Sequence, residues 1–285
     1  MPETSTTIKS GSIVSPELPI EFINTGELDI KTTYVLPVTI KSVEGIGVLQ
    51  SAKTYYYVFR GASLINVVCN ISRNRAYPDF KNDSKFNNLT ENTMEILFKA
   101  NSFPNTLNTL MGIESNYLLR IGDATIPNNQ LQVATSVNNC TSADLQLESG
   151  KWYHVAVAFN KGNVKVYING VEKLSGSTGK SSVSLGAKHT NEEDGSRCFW
   201  VGYSYKDDRY FDGVVSEVRI WNRALTAEEI QATNHFYTIE PESEGLIAYW
   251  KFDEGSGTVA KDYSVSGYDL TIEKEPKWES VSLPQ

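Results

Sequence analysis

The chain has 285 residues, a length that at about 100–200 residues per domain fits one large domain or two modest ones. Apolar residues make up 40%, charged residues 21% and aromatic residues 11%, which excludes long disorder, collagen and coiled coil as the main architecture. The net charge is −8 and no block is dense in lysine and arginine, so nucleic acid is not an expected partner, and no apolar run reaches the roughly 18 residues that a membrane span requires.

The first 60 residues predict short strands separated by turns. Residues 33–41 and 54–59 are extended runs rich in β-branched and aromatic side chains, which favour strands. Pro37 lacks the N–H that a sheet ladder needs, so it predicts an edge or a bulge in the first run. About four strands are fewer than a complete sandwich of about 100 residues contains. We therefore interpret residues 1–60 as a small partial Ig-like β module.

Residues 61–285 predict an all-β sandwich. Strand signals recur every ~8 to 14 residues, with turn residues between them, which is typical of two packed antiparallel sheets. The roughly 40 residues that follow position 245 are too few for a second core, so we expect them to return to the same sandwich. The strand signals cover residues 94–98, 117–121, 130–134, 153–159, 164–168, 199–203, 214–220 and 246–252.

Two local motifs sharpen this prediction. Asn169 and Gly170 join two short strand signals, and this pair readily adopts the positive φ of a tight hairpin turn. Thr226 and Glu229 have the spacing of a capping box, in which each side chain caps the other residue's backbone. The sequence therefore predicts a hairpin at residues 164–174 and one short helix after Thr226.

Several of these segments resemble a known family. Residues 150–159 and 164–170 resemble the central hairpins of laminin-G-like members of the concanavalin A-like lectin/glucanase superfamily, and residues 210–226 resemble its late strand and helix. Residues 246–257 resemble the strand that usually opens this domain, although here they come last. The resemblance implies a concanavalin A-like jelly roll over residues 61–285, with the order of strands permuted or augmented.

The N-terminal segment resembles a second family. Residues 1–60, especially 34–40 and 52–58, are similar to the end of the DUF1735 module, which precedes laminin-G-like or glycosidase domains in exported proteins of glycan-foraging bacteria. Together the two resemblances imply an exported protein at the cell surface or in the periplasm, lipid-anchored in its precursor. They also imply a role in a polysaccharide-utilisation type system, with other cell-surface glycan-uptake proteins as partners.

The carboxylates of the sequence do not form a glycosidase signature. A glucanase on this fold needs acidic residues spaced by two along one strand, so that they share a face. That pattern is absent from the sequence. Residues 192–194 and the acids at 240, 242 and 244 are interpreted as solvated loop charges. We therefore predict that the protein is not an enzyme.

Histidine and cysteine provide no recognisable metal or nucleophile motif. No histidine stands at a metal-ligand spacing from another histidine or a cysteine. Alternation along the strand places His154 on the face of Ala156 and Ala158, which favours a hydrogen-bonded histidine of the sandwich. Three cysteines permit at most one disulfide, and burial as small apolar residues is the favoured interpretation. The residues concerned are His154, His189, His235, Cys69, Cys140 and Cys198.

Sugar binding without catalysis requires aromatic rings that stack on the C–H face of a pyranose, and planar polar groups for its hydroxyls. One loop between strands combines both, and we predict that it contacts polysaccharide or glycoprotein glycan. A weaker candidate is the loop at residues 74–80. The predicted ligand-binding residues are Tyr203, Tyr205, Asp207, Asp208, Arg209 and Tyr210.

No cofactor is required for binding, but the resemblance implies that a structural Ca²⁺ is an option. Calcium prefers hard oxygen ligands, and related domains tend to place Asp directly before Glu in the strand around Glu217. Ser216 replaces that acid here, which weakens the expectation. Glu217, Asp253 and Asp262 are the expected ligands.

The sequence is compatible with three functions. The favoured hypothesis is a non-catalytic glycan-binding protein. A protein-interaction or adhesion module is the first alternative, which predicts an exposed apolar patch. A glycoside hydrolase with an unrecognised site is the second.

Overall fold

The computed structural model describes residues 5–22, 28, 32–60, 65–186 and 198–284. The chain divides into two compact units, Met1–Leu64 and Ile65–Gln285. The acidic residues 192–194 and His189 lie outside the described residues. Among the described residues, no helix has both the length and the apolar character needed to cross a bilayer.

The N-terminal unit contains a two-stranded antiparallel sheet. Its strands are β1 (Thr33–Thr39) and β2 (Thr54–Arg60), paired so that Pro37 lies opposite Tyr56. Each strand of a two-stranded sheet is an edge strand, so Pro37 is accommodated where a central strand would exclude it. Apolar side chains on both strands are exposed, among them Val35 at 54% and Val58 at 65%.

The second unit is a sandwich of antiparallel strands with one short helix among its described residues. In chain order, its elements are β3 (Ile65–Asn70), β4 (Ala76–Pro78), β5 (Glu91–Ala100), β6 (Asn108–Ile113), β7 (Tyr117–Asp123), β8 (Ile126–Thr135), β9 (Trp152–Asn160), β10 (Asn163–Ile168), β11 (Val171–Ser177), β12 (Trp200–Val201), β13 (Gly213–Trp221), α1 (Ala227–Ile230), β14 (Leu246–Trp250), β15 (Val259–Ala260), β16 (Leu270–Ile272) and β17 (Lys277–Leu283). The predicted all-β sandwich of two antiparallel sheets with one short helix is confirmed.

The strands form an eight-stranded and a seven-stranded sheet. The first has the order β11-β10-β9-β5-β13-β3-β17, with β14 also paired to β13. The second has the order β15-β16-β4-β12-β6-β7-β8. The last strand, β17, pairs with β3, the first strand of the unit, so the two ends of the sandwich close against each other.

The core lies between the two sheets and follows from alternation along the strands. Met94, Ile96 and Phe98 of β5 point into it and are fully buried, as are Val155 and Val157 of β9. Burying an aliphatic or aromatic side chain of this size contributes about 1.5–3 kcal/mol.

The opposite face of the eight-stranded sheet is also covered. Residues 222–245, which we call the cover segment, run from the end of β13 across this face to β14. Ile230 of α1 is fully buried against Trp221 and Ala156. The predicted capping box of Thr226 and Glu229 is confirmed and starts a helix of a single turn.

The predicted hairpin is present as β10 and β11, joined by Asn169 and Gly170. Gln231 of the cover segment donates a 2.7 Å hydrogen bond to the carbonyl oxygen of Gly170, so the turn also anchors that segment.

Candidate functional site

The seven-stranded sheet presents an aromatic and polar outer face. Val201 pairs with Ala76, and both point into the core. Their neighbours Trp200 and Tyr77 therefore point outward, and their rings meet edge to face at 5.0 Å. Gly112 lies opposite Trp200. Its φ of +121° favours glycine, and a Cβ there would lie 2.4 Å from the Tyr117 carbonyl oxygen, so the sheet is bare beside the indole.

Arg75 joins these rings into one cluster. Its guanidinium carbon lies 4.8 Å from the ring centroid of Trp200 and 4.6 Å from that of Tyr203. Glu273 pairs with the same guanidinium at 2.6 Å. Tyr203 in turn contacts Tyr210, with 4.9 Å between ring centroids. We call Arg75, Tyr77, Trp200, Tyr203 and Tyr210 the tyrosine–arginine cluster.

The loop at residues 203–210 extends from this cluster, and its own backbone is strained. Tyr205 has a φ of +67°, in the left-handed region that non-glycine residues seldom adopt, and such strain is concentrated at functional sites. The Arg209 guanidinium lies 5.3 Å from the Tyr205 ring. It also pairs with Glu114 at 2.9 Å, which fixes the loop to the end of β6.

The structure places most of the predicted ligand-binding residues in one loop, but at different depths. Tyr205, Arg209 and Tyr210 are half-buried, and Asp208 is exposed. Tyr203 is only 3% exposed, so its ring supports Arg75 and Tyr210 from below and offers little surface of its own. The side chain of Asp207 lies outside the described part of the structure.

Sequence analysis did not predict which residues hold this loop in place, and it missed Glu114 entirely. Arg75, Trp200 and Glu114 come from three other segments of the chain. The alternative loop at residues 74–80 contributes Arg75 and Tyr77 to the same cluster, so the two sequence candidates are neighbours in space. A signal existed in the outward position of Trp200 within a predicted strand, but its partners depend on which strands pair.

Two carboxylates beside this face are paired with arginines. Glu114 pairs with Arg209, and Asp123 pairs with Arg120 at 2.5 Å. A retaining glycosidase needs two carboxyl groups about 5–5.5 Å apart, one to donate a proton and one to attack. Neither of these ion-paired carboxylates is free to act in that way without losing its partner.

The three residues expected to bind calcium are engaged differently. Glu217 is buried, and its carboxylate accepts hydrogen bonds from Arg219 and from the Tyr249 hydroxyl. Burial raises the pKa of Glu217, although Arg219 opposes this effect. Asp262 accepts backbone N–H groups, including that of Tyr249 at 3.0 Å, and Asp253 is exposed. The calcium site remains a prediction.

A second polar cluster, which sequence analysis missed, lies beneath the cover segment. Glu95, His154 and His235 are buried, with one potential ligand atom of each within 4.8 Å of the others. His235 Nε2 lies 2.6 Å from Glu95 Oε1, and His154 Nε2 lies 3.4 Å from the same oxygen. Sequence spacing gave no sign of this cluster, because β9 and the cover segment bring together two histidines that are 81 positions apart.

Imidazole and carboxylate groups are suited to Zn²⁺, but the Glu95 carboxylate of this cluster already has hydrogen-bond partners. Trp221 Nε1 donates to Glu95 Oε2 at 2.7 Å, and Arg219 Nη1 lies 3.7 Å from that oxygen. The permanent charge of Arg219 opposes a second cation at the same carboxylate. As it stands, the arrangement is a buried network that ties the cover segment to the sheet.

The electrostatics of Glu95 agree with that description. Burial alone would raise its pKa, but the contacts of His154 and His235 and the charge of Arg219 prevail and hold the pKa well below its usual value. Burial lowers the pKa of His154, against the opposing effect of Glu95. Glu95 is thus ionised and His154 neutral near pH 7.

Comparison with known proteins agrees with the sandwich. A family model described as the concanavalin A-like lectin/glucanases superfamily, of the laminin G type, matches residues 74–231. A second model, of an N-terminal domain, matches residues 1–47, and the DUF1735 assignment remains a prediction. No curated protein matches the chain.

Among solved structures, a candidate carbohydrate-binding protein from Bacteroides ovatus is 27% identical, with a TM-score of 0.70, and the match covers 89% of this chain and 70% of that one. A pentraxin from Limulus polyphemus is 15% identical, with a TM-score of 0.42 and coverages of 60% and 82%. Domain 4 of an extracellular arabinanase from Geobacillus stearothermophilus is 19% identical, with a TM-score of 0.42 and coverages of 75% and 91%.

Proposed function

We propose, since the chain belongs to the concanavalin A-like lectin/glucanase superfamily, that it is a non-catalytic protein that binds polysaccharide or glycoprotein glycan. The observation that carries this proposal is the tyrosine–arginine cluster with its strained loop on the outer face of the seven-stranded sheet. The likeness to the Bacteroides ovatus protein, a candidate carbohydrate-binding protein, supports it.

Each part of the site has a role in this proposal. The half-buried rings of Tyr205 and Tyr210 stack on the C–H face of a sugar. Asp208 and Arg209 bind hydroxyl groups, and Asp207 is proposed to do the same. Trp200 and Tyr203 are buried at 5% and 3% exposure, so they hold the surface rings in place.

The paired carboxylates support binding over hydrolysis. Glu114 holds Arg209 and Asp123 holds Arg120, so these two acids are used to position arginines. A bound sugar would thus meet fixed hydrogen-bond donors, and neither of these two carboxylates is free to donate a proton to it or to attack it. We place this activity in an exported, lipid-anchored protein of a glycan-utilisation system, where other glycan-uptake proteins would be its partners.

Affinity electrophoresis of the full chain through gels containing neutral or acidic polysaccharides tests this proposal. We expect retardation by at least one polysaccharide. Tyr210→Ala should weaken that retention about tenfold, because an aromatic contact residue contributes upwards of about 1 kcal/mol. Tyr55→Ala, which removes a 69% exposed tyrosine of the N-terminal unit, is the matched control and should change nothing. Equal retention of both variants would contradict the proposed site.

A second candidate function is protein interaction through the N-terminal sheet. Tyr55, Tyr56 and Val58 are exposed by 69%, 61% and 65%. Adjacent exposed apolar and aromatic side chains of this kind mark interaction surfaces. This function predicts that the chain captures a protein partner and that Tyr56→Ser abolishes the capture. Glycan retention that persists in the same variant would support protein interaction in addition to glycan binding.

A further inference from the structure

A cavity of about 270 Å³ lies next to the tyrosine–arginine cluster. One wall is the turn after β3, with Arg73 and Asn74, and the other is the connection from β16 to β17, with Lys274 and Lys277. Its volume is close to the lower end of the ~300–1,000 Å³ of small-ligand sites, which suits one sugar residue or one charged substituent.

The two walls are fixed to each other by hydrogen bonds. Asn74 is 4% exposed, and its side-chain amide donates to the Lys274 carbonyl oxygen at 2.7 Å. Its Oδ1 accepts from the Lys274 N–H at 3.2 Å. The Glu273 N–H donates to the Arg75 carbonyl oxygen at 2.9 Å. The cavity is therefore formed before any ligand enters, which limits the entropy cost of binding.

The charge around the cavity is opposite to that of the protein. Arg73, Lys274 and Lys277 line it together with a single acid, Glu275, whereas the chain as a whole has a net charge of −8. Glu275 accepts a 2.8 Å hydrogen bond from the Gly257 N–H, which turns one of its oxygens toward another loop. Lys277 pairs with Glu279 at 3.2 Å, which leaves Arg73 and Lys274 as the lining cations without a carboxylate partner among the described residues. These two positive charges repel each other, so an anion that enters the cavity is stabilised.

Arg73 differs from the other arginines whose side chains the structure describes. Each of the others has a carboxylate within ion-pairing distance, and these pairs involve Arg75, Arg120, Arg209, Arg219 and Arg223. Arg73 has no such partner among the described residues, and neither has Lys274. Arg73 also has a φ of +53°, a left-handed conformation that costs energy for a side chain of this size.

We propose that this cavity binds the carboxylate or sulfate group of an acidic glycan. The planar guanidinium of Arg73 matches an oxyanion with two parallel hydrogen bonds, and Lys274 adds a second positive charge. Arg75 lies on the rings of Trp200 and Tyr203 and pairs with Glu273, and these two paired residues directly neighbour the cavity residues Asn74 and Lys274 in the chain. A glycan that stacks on the tyrosine–arginine cluster thus has its acidic substituent within reach of the cavity. This inference rests on the proposed function for the identity of the larger ligand.

NMR titration of the ¹⁵N-labelled full chain tests the cavity directly. The probes are sodium galacturonate and sodium sulfate, with galactose and sodium chloride as neutral and ionic-strength controls. We expect saturable shifts of the amide signals of residues 72–75, 274, 275 and 277 with at least one of the two anions and none with the controls. Saturation by galacturonate alone identifies a uronate site, and saturation by sulfate alone identifies a sulfate site.

Three charge variants complete the test. Arg73→Gln and Lys274→Gln should each weaken anion binding at least tenfold, because each removes a charge-assisted hydrogen bond. Lys173→Gln, which removes an exposed lysine of β11 at the opposite edge of the eight-stranded sheet, should leave it unchanged. The inference would be overturned if neither anion produced saturable shifts, or if the cavity variants bound the anion as tightly as the native chain. Retention on a neutral polysaccharide that depends on Tyr210 would still stand, so failure of the inference and failure of the proposed function are distinguishable.

Discussion

His235 Nε2 lies 2.6 Å from Glu95 Oε1, although 140 residues of sequence separate the two. Glu95 belongs to β5 and His235 to the cover segment, so this contact fastens one layer of the molecule to another. Arg219 adds to it by donating to the His235 carbonyl oxygen at 2.6 Å. The buried network therefore determines where the cover segment lies on the sheet.

Replacement of Glu95 by glutamine should destabilise the sandwich strongly. The variant keeps the shape of the side chain but removes the charge that faces Arg219 and the two histidines. Breaking a buried ion pair by removing one partner costs about 3–5 kcal/mol, and urea unfolding followed by tryptophan fluorescence measures this loss. Glu172→Gln removes an exposed partner of Lys165 and is the control. A loss in Glu95→Gln no larger than in the control would show that the network does not stabilise the fold.

Stability should fall as the pH drops below about 6.5, in part because of His154. Burial lowers its folded-state pKa, so the unfolded chain takes up a proton first. The stability that neutral His154 provides is complete above its unfolded pKa and declines from there toward its folded pKa. The decline is at most about 1.4 kcal/mol per pH unit for one proton.

The variant His154→Gln isolates this effect. The free energy of unfolding of the native chain, minus that of the variant, should decrease between pH 7.5 and pH 5.0. Taking the difference removes the contribution of Glu217, which is not among the groups that shift the pKa of His154. Glu95 stays ionised in the native chain over this range, because its pKa lies well below its usual value. A difference that stays constant over this range would refute the assignment to His154.

Gly170→Ala should cost more stability than Gly255→Ala. Both glycines have a φ of +76°, so the backbone strain of an L side chain, about 1–2 kcal/mol, is common to both variants. A Cβ at Gly170 would lie 3.1 Å from Cγ of Gln231 and 3.2 Å from Cζ of Phe236, whereas none of the surrounding atoms lies within 4 Å of a Cβ at Gly255. The excess loss on urea unfolding measures how tightly the cover segment packs on the hairpin. Equal losses would mean that the cover segment shifts to accommodate the added methyl group with no further loss of unfolding free energy.

The three cysteines should react with iodoacetamide in a fixed order. Cys69 and Cys140 are buried, whereas Cys198 is partly exposed. Burial raises the pKa of Cys69 and of Cys140, which further reduces their reactive thiolate. Mass spectrometry of the native protein should find Cys198 labelled first and the other two only after unfolding. Early labelling of Cys69 would contradict its place between β13 and β17.

The predictions from sequence succeeded where the cause is local. Alternation along β9 assigned His154 and Ala156 to the face opposite Val155 and Val157, because successive side chains of a strand must point to opposite sides. The Asn169–Gly170 turn and the Thr226 capping box depend on a few neighbouring residues, and both are confirmed. The aromatic loop at residues 203–210 was equally visible, since its composition is a property of the chain.

Composition and strand periodicity thus determined by themselves that the chain forms an antiparallel sandwich with an aromatic, charged loop. Tertiary structure alone decided that Glu114 holds Arg209, that Glu95 meets His235, and that Arg73 and Lys274 line one cavity. Each of these pairs joins segments that strand order brings together, and that order follows from the packing of the whole core. Charges far apart in sequence have no fixed distance until the core forms, and for that reason no local pattern could reveal them.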